Sequence, residues 1–442
     1  MDMKRFVSFI VAAGLLVSLA ACSTGGPGTV EETQNGSSTA GQSASSPQKE
    51  IEITYLNPWV GTDSRAKISS ALIGEFNDAN KGKYKVTLDG VPEYINMLNK
   101  LKTSVAAGEA PDIFIVCESI KNEDSWLKGQ LADLTPYIDD EFKTYKSDNV
   151  WSDCTVDGKI QAIAYNDLTT GIYYNKDIFK KAGISAPIKT WDEFISDCDK
   201  LKSAGYAPLA LETLEGWVPM LFYSAYVGSV EGPDFLTNLK DFNAPGFLEG
   251  AKFLRKLKDY TTSDALGAPY QIAANNFIQE KAAMIANGPW MLSDMKKAEG
   301  FYDKVGLMQF PGIKEGTYVM VSGPCTKICV AIRNESDKEK MTGAVEFLKY
   351  YNKPENIKRQ IVESSDIILS ENVTLTPEDK VDPMVINFLD CLETASYTVN
   401  NIRDDVQRSF GTAFPEDIGR LWQDELTPEQ FVASLNQKIF SK

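Results

Sequence analysis

The amino-acid sequence predicts an α/β fold of two lobes, each of them a mainly parallel sheet flanked by helices. Its 442 residues are enough for two or three domains with cores of their own. Apolar residues alternate over Ile51–Tyr55 and then recur at helical spacing from Ile68 to Phe76, which indicates a strand followed by a helix. The same alternation of strand and helix continues along the chain and predicts sheets that are covered by helices.

The predicted elements fall into two groups along the chain. In the first group, the opening strand and helix are followed by a strand at 84–88, a helix at 94–105 and a strand at 113–116. This order makes a βαβαβ unit, whose strands are expected to lie parallel. The second group comprises a helix at 192–203, a strand at 208–211, a helix at 246–259, a strand at 282–286, a helix from Pro289 and a strand at 304–309. Segments 387–395 and 427–440 are also predicted to be helical.

The composition excludes several classes of function. The formal net charge of −16 opposes binding to nucleic acid or to an anionic membrane surface. The sequence has no histidine, which removes Ser-His-Asp and Cys-His nucleophiles and histidine-ligated zinc. No C-x-x-C pair offers a metal or redox motif. We therefore expect neither a cofactor nor a bound metal.

The N-terminal segment has the features of an export signal. Lys4 and Arg5 precede an apolar run from Phe6 to Ala21, so residues 1–21 are predicted to be a signal peptide. The run ends in Leu-Ala-Ala-Cys, which resembles the bacterial lipobox and implies that Cys22 carries a lipid. Residues 23–50 are rich in Gly, Ser and Thr, and 22–50 is predicted to be the lipidated cysteine and its flexible tether. The alternative is a plain secretory peptide with a cysteine nearby by chance.

Six further cysteines follow Cys22 in the sequence. Cys325 and Cys329 lie in a strand-like run, where four residues span about 13 Å, which is too far for a disulfide between them. Most of the cysteines are expected to be buried apolar side chains. A disulfide between distant cysteines remains open at this point.

Candidate ligand-binding residues follow the predicted strands, because open α/β sheets bind ligands beyond the carboxyl ends of their strands. These segments combine aromatic rings with carboxylates and amides. Indole rings stack on the C–H faces of sugars, and the polar groups exchange hydrogen bonds with hydroxyls, which favours a carbohydrate site. Among these segments Arg65 is the one cation, whereas an anion site would want more. The candidates are Trp59, Asp63, Glu118, Glu212, Trp217, Asn287 and Trp290.

Each candidate also has a structural interpretation. Trp59, Trp217 and Trp290 could instead pack in the core. Asp63 could cap the helix that follows it, and Glu118 could be a solvated loop residue. Asp112 and Asp177 are expected to have structural roles.

Four stretches of the chain carry a resemblance to a known family. They are AAGEAPDIFIV at the end of 94–116, GIYYNKDIFKKAGI with TWDEF over 171–194, FIQEKAAMIANGPW over 277–290 and LTPEQF over 426–431. The chain resembles the extracellular solute-binding proteins of the sugar type that serve ABC importers. The resemblance implies a periplasmic-binding-protein-like fold with the ligand in a cleft between the lobes. The implied lobes are an N-terminal one, 51–167 with 318–375, and a C-terminal one, 168–317 with 376–442.

The resemblance also assigns roles to residues. In the maltose-binding member the aromatic of the GPW motif packs against the sugar, and that role carries over onto Trp290. The segment after the strand at 208–211 supplies an aromatic there, which favours Trp217. Asp167 is the acid nearest to a family carboxylate, although it is offset by about one position. A further aromatic is expected near the C-terminus, where Tyr397, Phe410 and Phe414 compete.

The function predicted from the sequence is that of a lipid-anchored receptor for a sugar or oligosaccharide. It would act as a monomer on the extracellular face of the cell membrane and deliver its ligand to a permease driven by a cytoplasmic ATPase, without bond chemistry. The membrane would be contacted through the lipid anchor alone. The alternatives are a receptor for a polyamine or peptide, a surface adhesin or scaffold, and a surface glycoside hydrolase that uses Glu118 and Glu212 as its carboxylate pair.

Overall fold

The computed structural model of the protein describes residues 49–440, apart from 118, 122–125, 167–168, 238, 323–325, 369, 371 and 407–409. The predicted signal peptide, Cys22 and all but the last residues of the predicted tether lie outside the described residues, and so do Glu118 and Asp167. No helix in the described part of the chain is both long enough and apolar enough to cross a membrane.

Strands and helices alternate over residues 51–116, as the sequence predicts, and runs of strands or of helices follow farther along the chain. The strands are β1 Ile51–Asn57, β2 Tyr84–Gly90, β3 Ile113–Val116, β4 Thr155–Val156, β5 Lys159–Ile160, β6 Ala162–Ala164, β7 Gly171–Asn175, β8 Ala207–Leu209, β9 Ala282–Asn287, β10 Val305–Met308, β11 Phe310–Pro311, β12 Tyr318–Ser322, β13 Lys327–Val330 and β14 Tyr397–Asn400. The helices are α1 Ala66–Ala79, α2 Tyr94–Ala106, α3 Asp140–Lys143, α4 Asp148–Asp153, α5 Lys176–Ala182, α6 Trp191–Ser203, α7 Trp217–Glu231, α8 Pro245–Leu257, α9 Tyr270–Ile278, α10 Leu292–Lys297, α11 Lys338–Tyr351, α12 Pro354–Ser364, α13 Pro383–Thr394, α14 Ile402–Asp405, α15 Phe410–Trp422 and α16 Pro428–Phe440.

The first large sheet has five strands in the order β2-β1-β3-β13-β6. β1 is parallel to both β2 and β3, as expected for the βαβαβ unit that the sequence predicts. α1 covers this sheet with a buried face that includes Leu72 and Phe76. The Phe76 ring meets Phe347 of α11 edge-on at 5.2 Å, and Phe347 in turn lies 5.7 Å from Tyr55 of β1. Helices that are far apart in the sequence therefore close one core.

The second large sheet has four strands in the order β10-β7-β9-β8, and a third sheet has the order β11-β12-β14. β8 and β9 are parallel, whereas β7 is antiparallel to both β9 and β10. In the first sheet β13 is likewise antiparallel to β3 and β6. Both large sheets are thus mixed, and the prediction of mainly parallel sheets is corrected on this point. The reason is that β7 and β13 enter their sheets from another part of the chain, so no βαβ unit fixes their direction.

Three segments of the chain meet where it passes between the two large sheets. Thr170 pairs with Val321 through backbone hydrogen bonds in both directions. Asn166 forms an isolated bridge with Ile368, and its carbonyl accepts a hydrogen bond from the Thr326 N–H. The connection from β6 to β7 and the connection from β12 to β13 therefore lie side by side. The segment around residue 368 lies beside them.

A buried ion pair lies at this meeting point. Asp366 is fully buried and accepts a 2.9 Å hydrogen bond from the Asn166 amide. Arg65, in the loop before α1, lies 3.4 Å from the same carboxylate oxygen. Burial raises the pKa of Asp366, while Arg65 and Asn166 act against that rise. This contact ties the loop after β1 to two of the segments that pass between the sheets.

The cysteines that the structure describes are Cys117, Cys154, Cys198, Cys329 and Cys391, and all of them are free thiols. Cys154, Cys198 and Cys329 are buried, in agreement with the expectation of apolar packing. A disulfide between two of these described cysteines is thereby excluded. Cys325 lies outside the described residues.

We expect Asp366→Ala to destabilise the protein by about 3 kcal/mol, because it leaves a buried guanidinium and a buried amide short of their partner. Urea unfolding measures this loss. The control is Asp89→Ala, which removes the carboxylate of an exposed ion pair with Lys100 and should cost less than about 1 kcal/mol. Equal losses in the two variants would contradict the role given to Asp366.

Candidate functional site

Three aromatic side chains come together beyond the carboxyl ends of β8 and β9. Trp217 is the first residue of α7, which follows β8, and Trp290 lies in a short 3₁₀ turn that follows β9. The ring of Tyr270, the first residue of α9, has its centroid 4.7 Å from that of Trp217. The centroids of Trp217 and Trp290 are 6.2 Å apart, and all three side chains are partly exposed. We call these three residues the aromatic platform.

The topology explains why the two tryptophans meet. β8 and β9 are parallel neighbours, so their carboxyl ends lie at the same edge of the sheet. Sequence analysis places Trp217 and Trp290 at that edge, and whether they touch a ligand stays a prediction. Tyr270 is missed by sequence analysis, because it opens a helix and follows no strand of the sheet.

Glu212 holds the N-terminus of α7. Its side chain is fully buried, and one carboxylate oxygen accepts hydrogen bonds from the N–H groups of Glu215 at 3.1 Å and Gly216 at 2.7 Å. The other oxygen accepts a 3.1 Å hydrogen bond from the Val218 N–H. Burial raises the pKa of Glu212 to about 7, although the three N–H donors act to lower it. The expectation that Glu212 contacts a ligand is therefore corrected, since its oxygens cap the helix that begins with Trp217.

Asn287 binds the hydroxyl of Tyr270 and the turn that precedes Trp290. It is fully buried, its Nδ2 donates a 2.9 Å hydrogen bond to the Tyr270 hydroxyl, and its Oδ1 accepts one of 2.8 Å from the Gly288 N–H. A Cβ at Gly288 would lie 2.0 Å from the ring of Trp290, so the indole lies across a residue that must be glycine. Asn287 thus supports the platform from below, which corrects the expectation that it contacts a ligand directly.

Trp59 is buried under the loop that follows β1. Its side chain is 7 % exposed and stacks on Tyr165, with centroids 5.1 Å apart. The guanidinium carbon of Arg65 lies 4.0 Å from the centroid of the indole. The ring is therefore buried against two side chains of the protein, and the expectation that Trp59 stacks on a sugar is corrected in favour of core packing.

Asp63 binds Arg65 through both of its carboxylate oxygens. Oδ1 accepts from the backbone N–H and the Nε of Arg65, each at 2.9 Å, and Oδ2 accepts from Nη2 at 2.8 Å. Burial alone would raise the pKa of Asp63, but the contacts with Arg65 hold it below its ordinary value. About a quarter of the Asp63 side chain remains exposed, at 26 %. Since Arg65 is also paired with Asp366, its charge is neutralised within the protein.

The three candidate aromatics near the C-terminus lie away from the platform. Phe410 and Phe414 are fully buried and pack on Phe242 and Tyr223, respectively. Tyr397 is partly exposed, and its hydroxyl is 3.5 Å from the Gly228 carbonyl, near the C-terminal end of α7. That carbonyl is about 16 Å along the helix from the platform end. None of the three joins the aromatic platform.

Side chains of α10, the helix after Trp290, reach segments that belong to the first sheet. The Lys297 ammonium donates a 3.0 Å hydrogen bond to the carbonyl of Thr62, in the loop after β1. Lys296 donates a 3.0 Å hydrogen bond to the Ser365 hydroxyl, just after α12, and pairs with Asp382. A pocket of about 330 Å³ lies beside these contacts, lined by both lysines and by serines from both sides. The two sheets therefore approach each other next to Trp290.

Within the described part of the chain, no group of three or more cysteine and acidic side chains could hold a metal ion. The hydrolase alternative needs Glu118 and Glu212 as its two carboxylates. Both oxygens of Glu212 accept hydrogen bonds from backbone N–H groups, three in all, so this carboxylate is not free to act on a substrate. Glu118 lies outside the described residues. The neighbouring Cys117 is described, and its N–H donates a 2.8 Å hydrogen bond to the hydroxyl of Tyr94.

The family model for the bacterial extracellular solute-binding proteins matches residues 62–358, which is more than half of the chain. The chain belongs to this family. Two relatives of this solute-binding protein are themselves named as binding proteins. The multiple sugar-binding protein of Streptococcus mutans is 26% identical over 70% of this chain and 73% of that protein. The sn-glycerol-3-phosphate-binding periplasmic protein UgpB of Salmonella typhimurium is 26% identical over 69% of this chain and 72% of its own.

Solved structures with the same fold include further binding proteins. A chitin oligosaccharide binding protein superposes with a TM-score of 0.77 at 24% identity and covers 88% of this solute-binding protein and 98% of its own chain. The solute-binding protein RafE in complex with raffinose gives a TM-score of 0.68 at 22% identity, covering 88% and 98% of the two chains. These likenesses show that the fold is that of the binding proteins, as the sequence predicts.

We expect the buried Glu212 to make this solute-binding protein less stable as the pH rises. Its pKa is about 7 in the folded protein against an ordinary value of 4.5, so the folded state keeps a proton that the unfolded chain has released between these values. The contribution is present below pH 4.5 and is lost as the pH rises through 7, by up to about 3 kcal/mol.

The isosteric variant Glu212→Gln cannot titrate and isolates this contribution. Urea unfolding of both proteins between pH 4.5 and 8 should show the parent losing stability relative to the variant as the pH rises. A constant difference between the two proteins over that range would contradict the assignment.

Proposed function

We propose that this protein is a receptor for a sugar or oligosaccharide and serves as the substrate-binding component of an ABC importer. The observation that carries the proposal is the aromatic platform of Trp217, Tyr270 and Trp290 at the carboxyl ends of β8 and β9. Partly exposed rings held in fixed positions suit the apolar C–H faces of a sugar ring. The sugar-binding relative in Streptococcus mutans and the fold shared with a raffinose complex support the same substrate class.

The ligand is proposed to be held by closure of two lobes, 51–167 with 318–375 and 168–317 with 376–442. Closure is a shift of population, because both lobes can touch the ligand only in the closed form. The contact between Lys297 and the Thr62 carbonyl supports this proposal, since it joins the helix after Trp290 to the loop after β1. Asp63, next to Thr62, keeps part of its side chain exposed on that loop. Glu118 and Asp167 are proposed as further polar contacts.

The protein is proposed to bind without bond chemistry. The relatives with curated names are binding proteins, and the use of Glu212 as a helix cap takes away one acid of the hydrolase alternative. An anionic ligand is less favoured than a neutral one, because Arg65 is already paired with Asp63 and Asp366. We retain a polyamine or a peptide as the alternative ligand of the same platform.

A thermal-shift screen tests the proposal directly. The set contains raffinose, chitin oligosaccharides, galactose and spermidine. A ligand at a hundred times its Kd adds about 2.7 kcal/mol of stability, so a true ligand should raise the Tm by several degrees. A shift with a sugar supports the proposal, whereas a shift with spermidine alone would replace it with the polyamine alternative.

We expect Trp290→Ala to weaken binding of the identified sugar at least about tenfold, because a stacked ring contributes on the order of 1 kcal/mol beyond the area it buries. Calorimetry measures the change in Kd. Tyr206→Ala is the matched control, since Tyr206 precedes β8 at the opposite end of the strand from the platform. If Trp290→Ala bound the sugar as tightly as the parent, the platform would not be the binding site.

The protein is further proposed to be anchored by a lipid on Cys22 at the extracellular face of the cell membrane, where it acts as a monomer and delivers its ligand to the permease. Membership of an extracellular family supports the location. We expect Cys22→Ser to move the protein from the membrane to the medium and to abolish incorporation of labelled palmitate. Cys391→Ser, which alters a half-buried free thiol, should leave both unchanged. A Cys22→Ser protein that stays labelled and bound to the membrane would contradict the anchor.

A further inference from the structure

We propose that Glu212 is the positioning residue for Trp217 and that its ionisation makes ligand affinity rise with pH. The inference rests on the proposed function for its ligand-binding part, because the aromatic platform must be the binding surface. Its structural part concerns the ligand-free protein and can be tested separately.

The hydrogen bonds of Glu212 enclose the backbone of Trp217. The carboxylate accepts from the N–H of Gly216 on one side and from the N–H of Val218 on the other, at 2.7 and 3.1 Å. Gly216 has a φ of 69° and no side chain to cap α7. A Cβ on Gly216 would lie 3.1 Å from the Cα of Pro415, so the turn is also packed against α15. The direction in which Trp217 leaves the helix therefore depends on the Glu212 carboxylate.

The same turn holds a second ring of the platform. The third N–H bound by Glu212 belongs to Glu215, whose own carboxylate accepts a 2.8 Å hydrogen bond from the N–H of Tyr270. The Tyr270 ring then lies 4.7 Å from Trp217. Loosening the turn would change the spacing of these two rings. A ligand that stacks on both rings would then bind less tightly.

The protonation state of Glu212 changes how many of these hydrogen bonds it can accept. As a carboxylate it accepts all three with both oxygens, and its charge is favoured by the N-terminus of α7. As a carboxylic acid it carries an O–H donor on one oxygen, so at least one N–H is bound less well. The pKa of about 7 places this change near neutral pH.

Among the described residues, the groups that shift the pKa of Glu212 most are its burial, three backbone N–H groups and the Glu215 carboxylate, and none of these is a cation. Glu215, on the same turn, raises the pKa of Glu212, and Tyr270 is the titratable group that faces it from α9. Burial raises the pKa of Tyr270, so its hydroxyl stays neutral throughout the range. The residue of α15 that packs against the turn is Pro415, which carries no charge. The titration near pH 7 is thus assigned to Glu212.

The test begins with the ligand-free protein and follows near-ultraviolet circular dichroism and tryptophan fluorescence from pH 5.5 to 8.5. The parent should show a transition with its midpoint near pH 7. The chain has seven tryptophans, so Trp217→Phe is needed to show that the signal comes from this ring. The transition should be lost in Trp217→Phe and in Glu212→Gln, and kept in Asp89→Asn, which alters the exposed ion pair with Lys100 away from the platform. A parent without the transition, or a Glu212→Gln protein that keeps it, would overturn the proposal.

The second arm measures the affinity of whichever probe binds among raffinose, chitin oligosaccharides and galactose. In the parent we expect about threefold weaker binding at pH 6 than at pH 8, and in Glu212→Gln an affinity that does not change with pH. The same pH dependence in both proteins would overturn the proposal. If no sugar binds while the spectroscopic transition follows Glu212, the proposed function fails and the positioning of Trp217 stands. Should Glu212→Gln not fold, the comparison of the parent with Trp217→Phe still decides whether the ring reports the titration.

Discussion

The buried contact of Asp366 with Arg65 and Asn166 is the constraint on which the arrangement of the sheets depends. It joins the loop after β1 to the segment between β6 and β7 and to the segment after α12. A charge pair of this kind tolerates little displacement, because each group left unpaired in the interior costs several kcal/mol. The contact therefore holds these three segments in one arrangement where the chain passes between the sheets.

The platform follows the same logic on a smaller scale. Two of its three rings depend on a buried polar side chain, and the third depends on a glycine. Glu212 fixes the turn of Trp217, Asn287 binds the hydroxyl of Tyr270, and Gly288 gives the indole of Trp290 room to lie flat. Glu212 and Asn287, which sequence analysis predicts to bind a ligand, instead hold the aromatic rings in place.

Much of the fold can be predicted from the sequence because it is encoded locally. Alternation and helical spacing locate β1, α1, β2, α2 and β3 to within a few residues, and parallel pairing brings Trp217 and Trp290 to one edge. The direction of β7 and β13 depends on the end from which the chain enters each sheet. No local sequence pattern predicts this. The same holds for Trp59, buried by Arg65 and Tyr165 from elsewhere in the chain, and for Glu212, whose burial turns an apparent ligand contact into a helix cap.

The unpaired thiols have a practical consequence for the chemistry of this fold. Cys117, Cys154, Cys198, Cys329 and Cys391 form no covalent cross-link with one another, so packing, hydrogen bonds and ion pairs stabilise the described part of the chain without them. Folding of the described residues therefore requires no oxidation of these five cysteines. A reducing cytosol would remove no bond on which these described residues rely, and the same holds for a reductant added during purification.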